Sequence, residues 1–66
     1  MNVTVFEIRQ KIPSGCTIWL QTETGEYIEA NEAACLSHNH DDRAVESMYP
    51  EYYNSLCCTG ITVVIQ

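Results

Sequence analysis

The sequence predicts a small α+β fold, a single domain over residues 1–66 with a mostly antiparallel four-stranded sheet and two or three short helices. A helical pattern near the N-terminus, a hairpin signal in the middle and an apolar C-terminal strand predict this class. Apolar residues make up 45% of the chain and charged residues 18%, which is typical of a globular protein. A domain this short buries only about 60% of the surface that its unfolded chain exposes. We therefore expect one core and a modest stability.

The first predicted element is a helix that begins after Thr4. Thr4 followed by Glu7 has the spacing of a capping box. The apolar residues that then share one helical face are Val5, Ile8 and Ile12. Pro13 ends the helix because it lacks a backbone N–H and clashes with the preceding turn. A strand over residues 3–5 is the competing interpretation, since apolar and polar residues alternate there.

A β-hairpin over residues 16–31 is the clearest structural signal. A three-residue loop ending in Gly25, with Gly25 in the left-handed conformation, is a common hairpin connection. This loop sets Leu20 opposite Ile28, whereas a two-residue loop sets Leu20 opposite Glu29. The apolar pattern favours the first register, because one face of the hairpin is then apolar throughout. Trp19 and Tyr27 are predicted on the other face, diagonally across the strands and beside Glu29.

The second half of the sequence predicts a loop, a strand, a helix and a last strand. A short helical turn is expected over residues 31–36, followed by a polar loop over residues 37–42. Residues 44–49 are predicted as the third strand. Pro50 suits the first position of a helix that runs to residue 57, and Gly60 is its expected C-terminal cap. The last strand, residues 61–65, is apolar on both faces and suits an interior position in the sheet.

Charge excludes one class of function and indicates another. Nine acidic residues against three basic ones, Arg9, Lys11 and Arg43, give a net charge of −6. Direct binding to nucleic acid requires the opposite sign, so we expect none. An acidic protein of this size is either simply soluble or complementary to a protein partner with a basic surface. Neither a membrane-spanning segment nor a secretory signal is recognisable, so we expect a cytoplasmic protein with reduced cysteines.

The segment ACLSHNHDD, residues 34–42, holds the candidate metal ligands Cys35, His38 and His40. A zinc site usually needs a second pair of ligands at compact spacing, and this pair would have to be Cys57 and Cys58, which are adjacent in the sequence. Adjacent side chains point about 100° apart in a helix, so both cannot readily bind one ion. We therefore predict no metal and no cofactor, with a small zinc-binding module as an alternative. Catalysis by a Cys–His pair is not expected either, because 66 residues leave little chain to wall off a pocket.

The predicted function is that of a small acidic, non-enzymatic protein-binding module. Trp and Tyr dominate the energetics of protein interfaces, and acids around them would match a basic partner. The predicted binding residues are Trp19, Tyr27, Glu23, Glu26, Glu29, Glu32, Asp41 and Asp42. Two alternatives remain open: the first helix could cover Trp19 and make it part of the core, or the open sheet face could pair with a second copy in a homodimer.

Two segments resemble small uncharacterised proteins encoded by phages and other bacterial mobile elements. They are VFEIRQKIPSGCTIWL, residues 5–20, and DRAVESMYPEYYNSLCCTGITVVI, residues 42–65. Such accessory proteins often act by binding and blocking or modulating a host protein. The resemblance therefore implies an inhibitor or modulator, of an anti-defence type, whose target is a host nucleic-acid-binding protein. It implies no catalytic residue.

Overall fold

The computed structural model describes residues 3–66. One helix and four strands follow each other along the chain: α1 (Val5–Lys11), β1 (Thr17–Thr22), β2 (Tyr27–Glu32), β3 (Val45–Tyr53) and β4 (Cys58–Ile65). The strands form one sheet in the order β2-β1-β4-β3. The β1–β2 and β3–β4 pairs are antiparallel, but the central β1–β4 pair is parallel. The α+β class is confirmed, whereas the sheet is mixed and the described residues contain one helix instead of two or three.

The parallel central pair follows from how two hairpins are joined. Because β1 and β4 run in the same direction, β2 and β3 also share a direction. Residues 33–44 must therefore return along the sheet between the end of β2 and the start of β3. They do so without a helix, through hydrogen-bonded turns. The predicted helical turn survives only as bonds from the backbone N–H groups of Cys35 and Leu36 to the carbonyl of Glu32, 2.9 Å each.

Helix α1 forms as predicted. Thr4 is the N-cap in an extended conformation, and its hydroxyl oxygen accepts a hydrogen bond from the Glu7 N–H at 3.4 Å. The helix ends at Lys11, just before Pro13. A tight turn follows, in which the Cys16 N–H donates to the Pro13 carbonyl at 2.9 Å. The basic Lys11 in the last turn complements the negative end of the helix dipole.

The β1–β2 hairpin exists, but its predicted register is wrong. Gly25 has the expected positive φ of 89°, yet Leu20 pairs with Glu29, and Trp19 pairs with Ala30. A bulge next to Leu20 adds a residue to β2 and lets Tyr27 pair with Gln21. The bulge allows Ile28 to pack against the core although it is not a pairing partner of Leu20. Apolar pairing alone could not reveal a bulge.

The predicted helix over residues 50–57 is also wrong. Residues 50–53 belong to β3, residues 54–57 form the turn, and Gly60 is inside β4 rather than at a helix end. Pro50 is tolerated because β3 is an edge strand, where a missing N–H need not break a ladder bond. The alternate residues Tyr49, Glu51 and Tyr53 lie on one face of β3. Pairing of β3 with β4 therefore outweighs the local preference of Pro50 for a helix start.

The core lies on one side of the sheet. Its buried members are Val5, Ile8, Ile18, Leu20, Ala33, Leu36, Val45, Val63 and Ile65. They come from α1, from the 33–44 segment and from one face of the strands, so α1 and this segment cover the same face. The interior position predicted for the last strand is confirmed, since β4 lies between β1 and β3.

Candidate protein-binding surface

The sheet face opposite α1 carries most of the aromatic side chains. Strand pairing places Trp19 beside Thr62, and Thr62 beside Tyr49. Tyr53 and Glu51 lie on the same face of β3, because residues two apart in a strand point the same way. We call this surface the open face and define it by Trp19, Tyr27, Tyr49, Glu51, Tyr53 and Thr62. Because α1 packs on the other side, the alternative in which the helix covers Trp19 is wrong.

Three aromatic rings form a continuous row across the open face. The Trp19 and Tyr27 ring centroids are 4.8 Å apart with an interplanar angle of 59°. On the other side Trp19 stacks on Tyr53, with centroids 4.9 Å apart and an angle of 13°. Both separations lie in the favourable range for aromatic pairs. The row runs from Tyr27, which is 59% exposed, to Tyr53, which is 5% exposed, so one end is anchored and the other is accessible.

The absence of a side chain at Gly60 makes this row possible. Tyr53 starts on β3 and reaches Trp19 on β1 by lying across β4. A Cβ atom at Gly60 would come within 2.8 Å of the Tyr53 Cε2 atom and 2.5 Å of the Thr17 carbonyl oxygen. Real Cβ atoms essentially never approach other atoms so closely. Gly60 therefore lets a β3 ring cross a neighbouring strand.

A chain of hydrogen bonds connects the aromatic row to a carboxylate. Thr62 donates its hydroxyl proton to Glu51 Oε1 at 2.6 Å. The Tyr53 hydroxyl lies 2.8 Å from Thr62 Oγ1 and must be the donor of that bond, because the one proton of Thr62 is already used. Burial raises the pKa of the Tyr53 phenol, against the smaller lowering effect of its bond with Thr62, and the Glu51 charge raises it further. Tyr53 therefore stays protonated, and it holds Thr62 and Glu51 in place.

The open face is acidic and has no cation of its own. The four strands contain four glutamates and no Lys, Arg or His. Two of the three basic residues lie on α1, on the opposite side of the sheet. The third, Arg43, precedes β3 and donates from Nε to the Gln66 carbonyl at 2.9 Å. An incoming basic group would therefore meet no like charge among the strand residues.

The acids predicted to surround Trp19 do not form one patch. Glu23 and Glu26 lie exposed in the β1–β2 turn, and Glu32 ends β2 on the Trp19 side, paired with Thr17. Glu29 lies on the opposite side, where Oε2 accepts a hydrogen bond from the Ser37 N–H at 3.0 Å. The prediction that Glu29 flanks Trp19 and Tyr27 is wrong, because it depended on the wrong hairpin register.

Asp41 and Asp42 belong to the polar loop on the covered side of the molecule. Asp42 is exposed. Asp41 pairs with Arg9, with Oδ1 2.7 Å from Nη1. Burial opposes ionisation of Asp41, but hydrogen bonds from His38 and Arg9, together with the Arg9 charge, outweigh it and lower its pKa. Asp41 is therefore paired with Arg9 within the protein and does not contribute to the open face.

Arg9 organises the whole polar loop. Its Nη2 donates to the carbonyls of Ala33, at 3.0 Å, and Leu36. Its Nη1 lies 2.9 Å from His38 Nδ1 and 3.3 Å from the Ser37 carbonyl. The guanidinium thus satisfies buried backbone acceptors that no secondary structure serves. ACLSHNHDD is a loop, as predicted, but it folds around a buried cation rather than lying free in solvent.

This arrangement does not favour the alternative zinc site. Among residues 3–66, no group of three His, Cys, Asp or Glu side chains is placed to hold a metal ion, so Cys35, His38 and His40 do not form a ligand set. His38 Nδ1 is already within 2.6 Å of Asp41 Oδ2. All four cysteines, including Cys57 and Cys58, are free thiols.

The sequence predicts Trp19 and Tyr27 on this surface but not the residues that β3 contributes. The signal was present as the alternation of Tyr49, Glu51 and Tyr53, which has the two-residue period of a strand. Pro50 lies between Tyr49 and Glu51 and favours a helix start, which masks the alternation. The sequence does not indicate a role for Thr62, because its hydrogen-bond partners Tyr53 and Glu51 come together with it only in the folded sheet.

The described part of the chain has no helix with the length and apolar character needed to cross a bilayer. Comparison with protein-family models, with curated proteins and with solved structures gives no match. The function of the open face must therefore be argued from its own geometry.

Proposed function

We propose that this chain is a small, non-enzymatic protein-binding module that uses the open face. The observation that carries the proposal is the aromatic row on the side of the sheet that α1 leaves uncovered. Tyr27 and Tyr49 are 59% and 43% exposed, while Trp19 and Tyr53 hold the row rigid. Rigid aromatic side chains lose little conformational entropy on binding and are enriched at interface hot spots.

The proposed partner is a protein with a basic surface, and we propose further that it is a nucleic-acid-binding host protein that the module inhibits or modulates in the cytoplasm. The net charge of −6 supports this polarity, as does the lack of cations on the strands. Electrostatic complementarity of this kind steers association and weakens with salt. It requires no reaction, cofactor or metal.

Self-association is the alternative use of the same face. A two-fold dimer would place two copies of the face against each other. Each copy would bring its Glu51 carboxylate and no compensating strand cation, so like charges would meet. We therefore propose a monomer in the absence of its partner, which sedimentation at increasing protein concentration would verify.

The exposed tyrosines offer a matched pair for testing the function. Tyr27 is 59% exposed on the open face, and Tyr52 is 57% exposed on the other side of β3. Immobilised wild-type protein, Tyr27→Ser and Tyr52→Ser would be incubated with bacterial lysate and washed at low and high salt, and retained proteins would be identified by mass. We expect a partner that salt releases, that Tyr52→Ser retains and that Tyr27→Ser loses. Identical retention by the two variants, or no retained partner, would overturn the proposal.

A further inference from the structure

The open face combines accessible aromatic rings with a fixed carboxylate. Trp19 is held between Tyr27 and Tyr53, so its ring orientation is set before any partner arrives. The 59° angle between Trp19 and Tyr27 presents two differently oriented ring systems side by side. The Tyr27 ring of this pair is 59% exposed, so a cation can lie against it and is attracted by its electron-rich face.

The carboxylate of Glu51 is the second fixed feature. Its Oε1 is held by Thr62 at 2.6 Å, and Thr62 is itself held by Tyr53. No other hydrogen bond to Glu51 occurs within residues 3–66, so Oε2 can still accept one. Glu51 lies on β3, two strands from Trp19, which corresponds to about 10 Å at the usual strand spacing. An extended peptide carrying two cationic side chains can span this separation.

We propose that the open face binds an extended basic segment of the partner protein through arginine side chains, one stacked on the Trp19–Tyr27 pair and a second paired with Glu51. This inference rests on the proposed protein-binding function and specifies its chemistry. Arginine fits better than lysine because the planar guanidinium stacks on aromatic rings and also donates to a carboxylate in a fixed geometry. Lysine presents a compact, strongly hydrated charge that gains less from either contact.

Three short peptides test this chemistry directly. The probe is acetyl-Gly-Arg-Gly-Arg-Gly-amide, and its counterparts carry lysine or citrulline, the uncharged isostere of arginine, in place of arginine. Because Trp19 is the only tryptophan, its fluorescence reports binding at the proposed position. We expect a saturable change with the arginine peptide at low salt, weaker binding of the lysine peptide and none of the citrulline peptide. Binding of the lysine or the citrulline peptide as tight as that of the arginine peptide, or no binding of the arginine peptide, would overturn the proposal.

Matched variants separate the site from general electrostatic attraction. Tyr27→Ser should weaken binding of the arginine peptide about fivefold, whereas Tyr52→Ser should leave it unchanged. Glu51→Gln should weaken it about threefold, whereas Glu7→Gln, which removes the same charge from α1, should not. Glu7 is a close match because it also accepts a hydrogen bond from a threonine, Thr4. Equal effects of the two glutamate variants would show attraction by net charge only and would overturn the Glu51 assignment.

The outcome also distinguishes this inference from the function on which it rests. If lysate yields a partner that depends on Tyr27 but the arginine peptide fails to bind, the protein-binding function stands and the arginine-specific contact is wrong. If neither depends on Tyr27, both are wrong.

Discussion

Tyr53 stacks on Trp19 with ring centroids 4.9 Å apart, although a whole strand lies between the two residues. The contact joins the edge strand β3 to β1. Because β1 is paired with the other edge strand, β2, the contact connects the two halves of the sheet. It depends on Gly60 beneath the ring and on Thr62 at the end of the phenol. Each of these dependences can be tested by a single substitution.

Gly60→Ala should destabilise the protein by about 1 to 3 kcal/mol, the usual range for adding an atom to a well-packed interior. The new methyl group would lie 2.5 Å from a backbone oxygen, which cannot move like a flexible side chain. Urea unfolding measures the loss, and near-ultraviolet circular dichroism should show that the environment of Trp19 changes. Gly15→Ala is the control, because no atom lies within 4 Å of its added Cβ; an equal loss there would contradict the steric explanation.

Tyr53→Phe should lower the free energy of unfolding by about 1 kcal/mol, the net value of a typical hydrogen bond. Thr62 keeps its bond to Glu51, so no buried polar atom loses its only partner. The effect should change at high pH. Because the folded-state pKa of Tyr53 is raised above its ordinary value of 10.0, its contribution is full below that pH and is lost as pH rises through the folded-state pKa.

The measurement is urea unfolding of wild type, Tyr53→Phe and Tyr52→Phe at several pH values on both sides of the ordinary phenol pKa. Wild type and Tyr52→Phe should lose stability at the alkaline end, and Tyr53→Phe should lose less. If all three proteins decline in parallel, burial of the Tyr53 phenol does not contribute to the pH dependence.

Asp41→Asn should destabilise the protein by about 2 kcal/mol at neutral pH, because the charged hydrogen bond to Arg9 is lost. The pKa of Asp41 is lowered from its ordinary value of 3.8. Its contribution is therefore full above the ordinary value and is lost as pH falls through the lowered folded-state pKa. The variant should thus show a weaker dependence of stability on acid than wild type.

Unfolding by urea at neutral and acidic pH tests this prediction, with Asp42→Asn as the neighbouring exposed control. Asp42→Asn should stay within about 0.5 kcal/mol of wild type. A loss of similar size in both variants would indicate that general charge, rather than the Arg9 pair, stabilises the loop.

Zinc should leave the melting temperature unchanged. Cys35, His38 and His40 do not converge as a ligand set, and His38 Nδ1 lies against Arg9 and Asp41. Differential scanning fluorimetry with and without equimolar zinc measures this. A rise in melting temperature with zinc that disappears in Cys35→Ser would contradict this prediction and restore the zinc-binding alternative.

Elements whose signals are local can be predicted from the sequence alone. The Thr4 cap and Pro13 define α1 because capping and termination depend on a few adjacent residues. Gly25 adopts the left-handed conformation of the hairpin turn for the same reason. The continuous apolar pattern near Val63 predicts correctly that the last strand lies inside the sheet.

Features that depend on contacts between distant residues are visible only in the folded molecule. Pro50 lies in a strand because pairing with β4 and stacking of Tyr53 on Trp19 outweigh a local helix preference. The Leu20 register depends on a bulge that the pattern of apolar residues does not reveal. Arg9 reaches Asp41 across 32 positions of the sequence, so the polar loop acquires its structure from α1. Such contacts stabilise the protein only once distant parts of the chain have come together, and for that reason no short stretch of sequence predicts them.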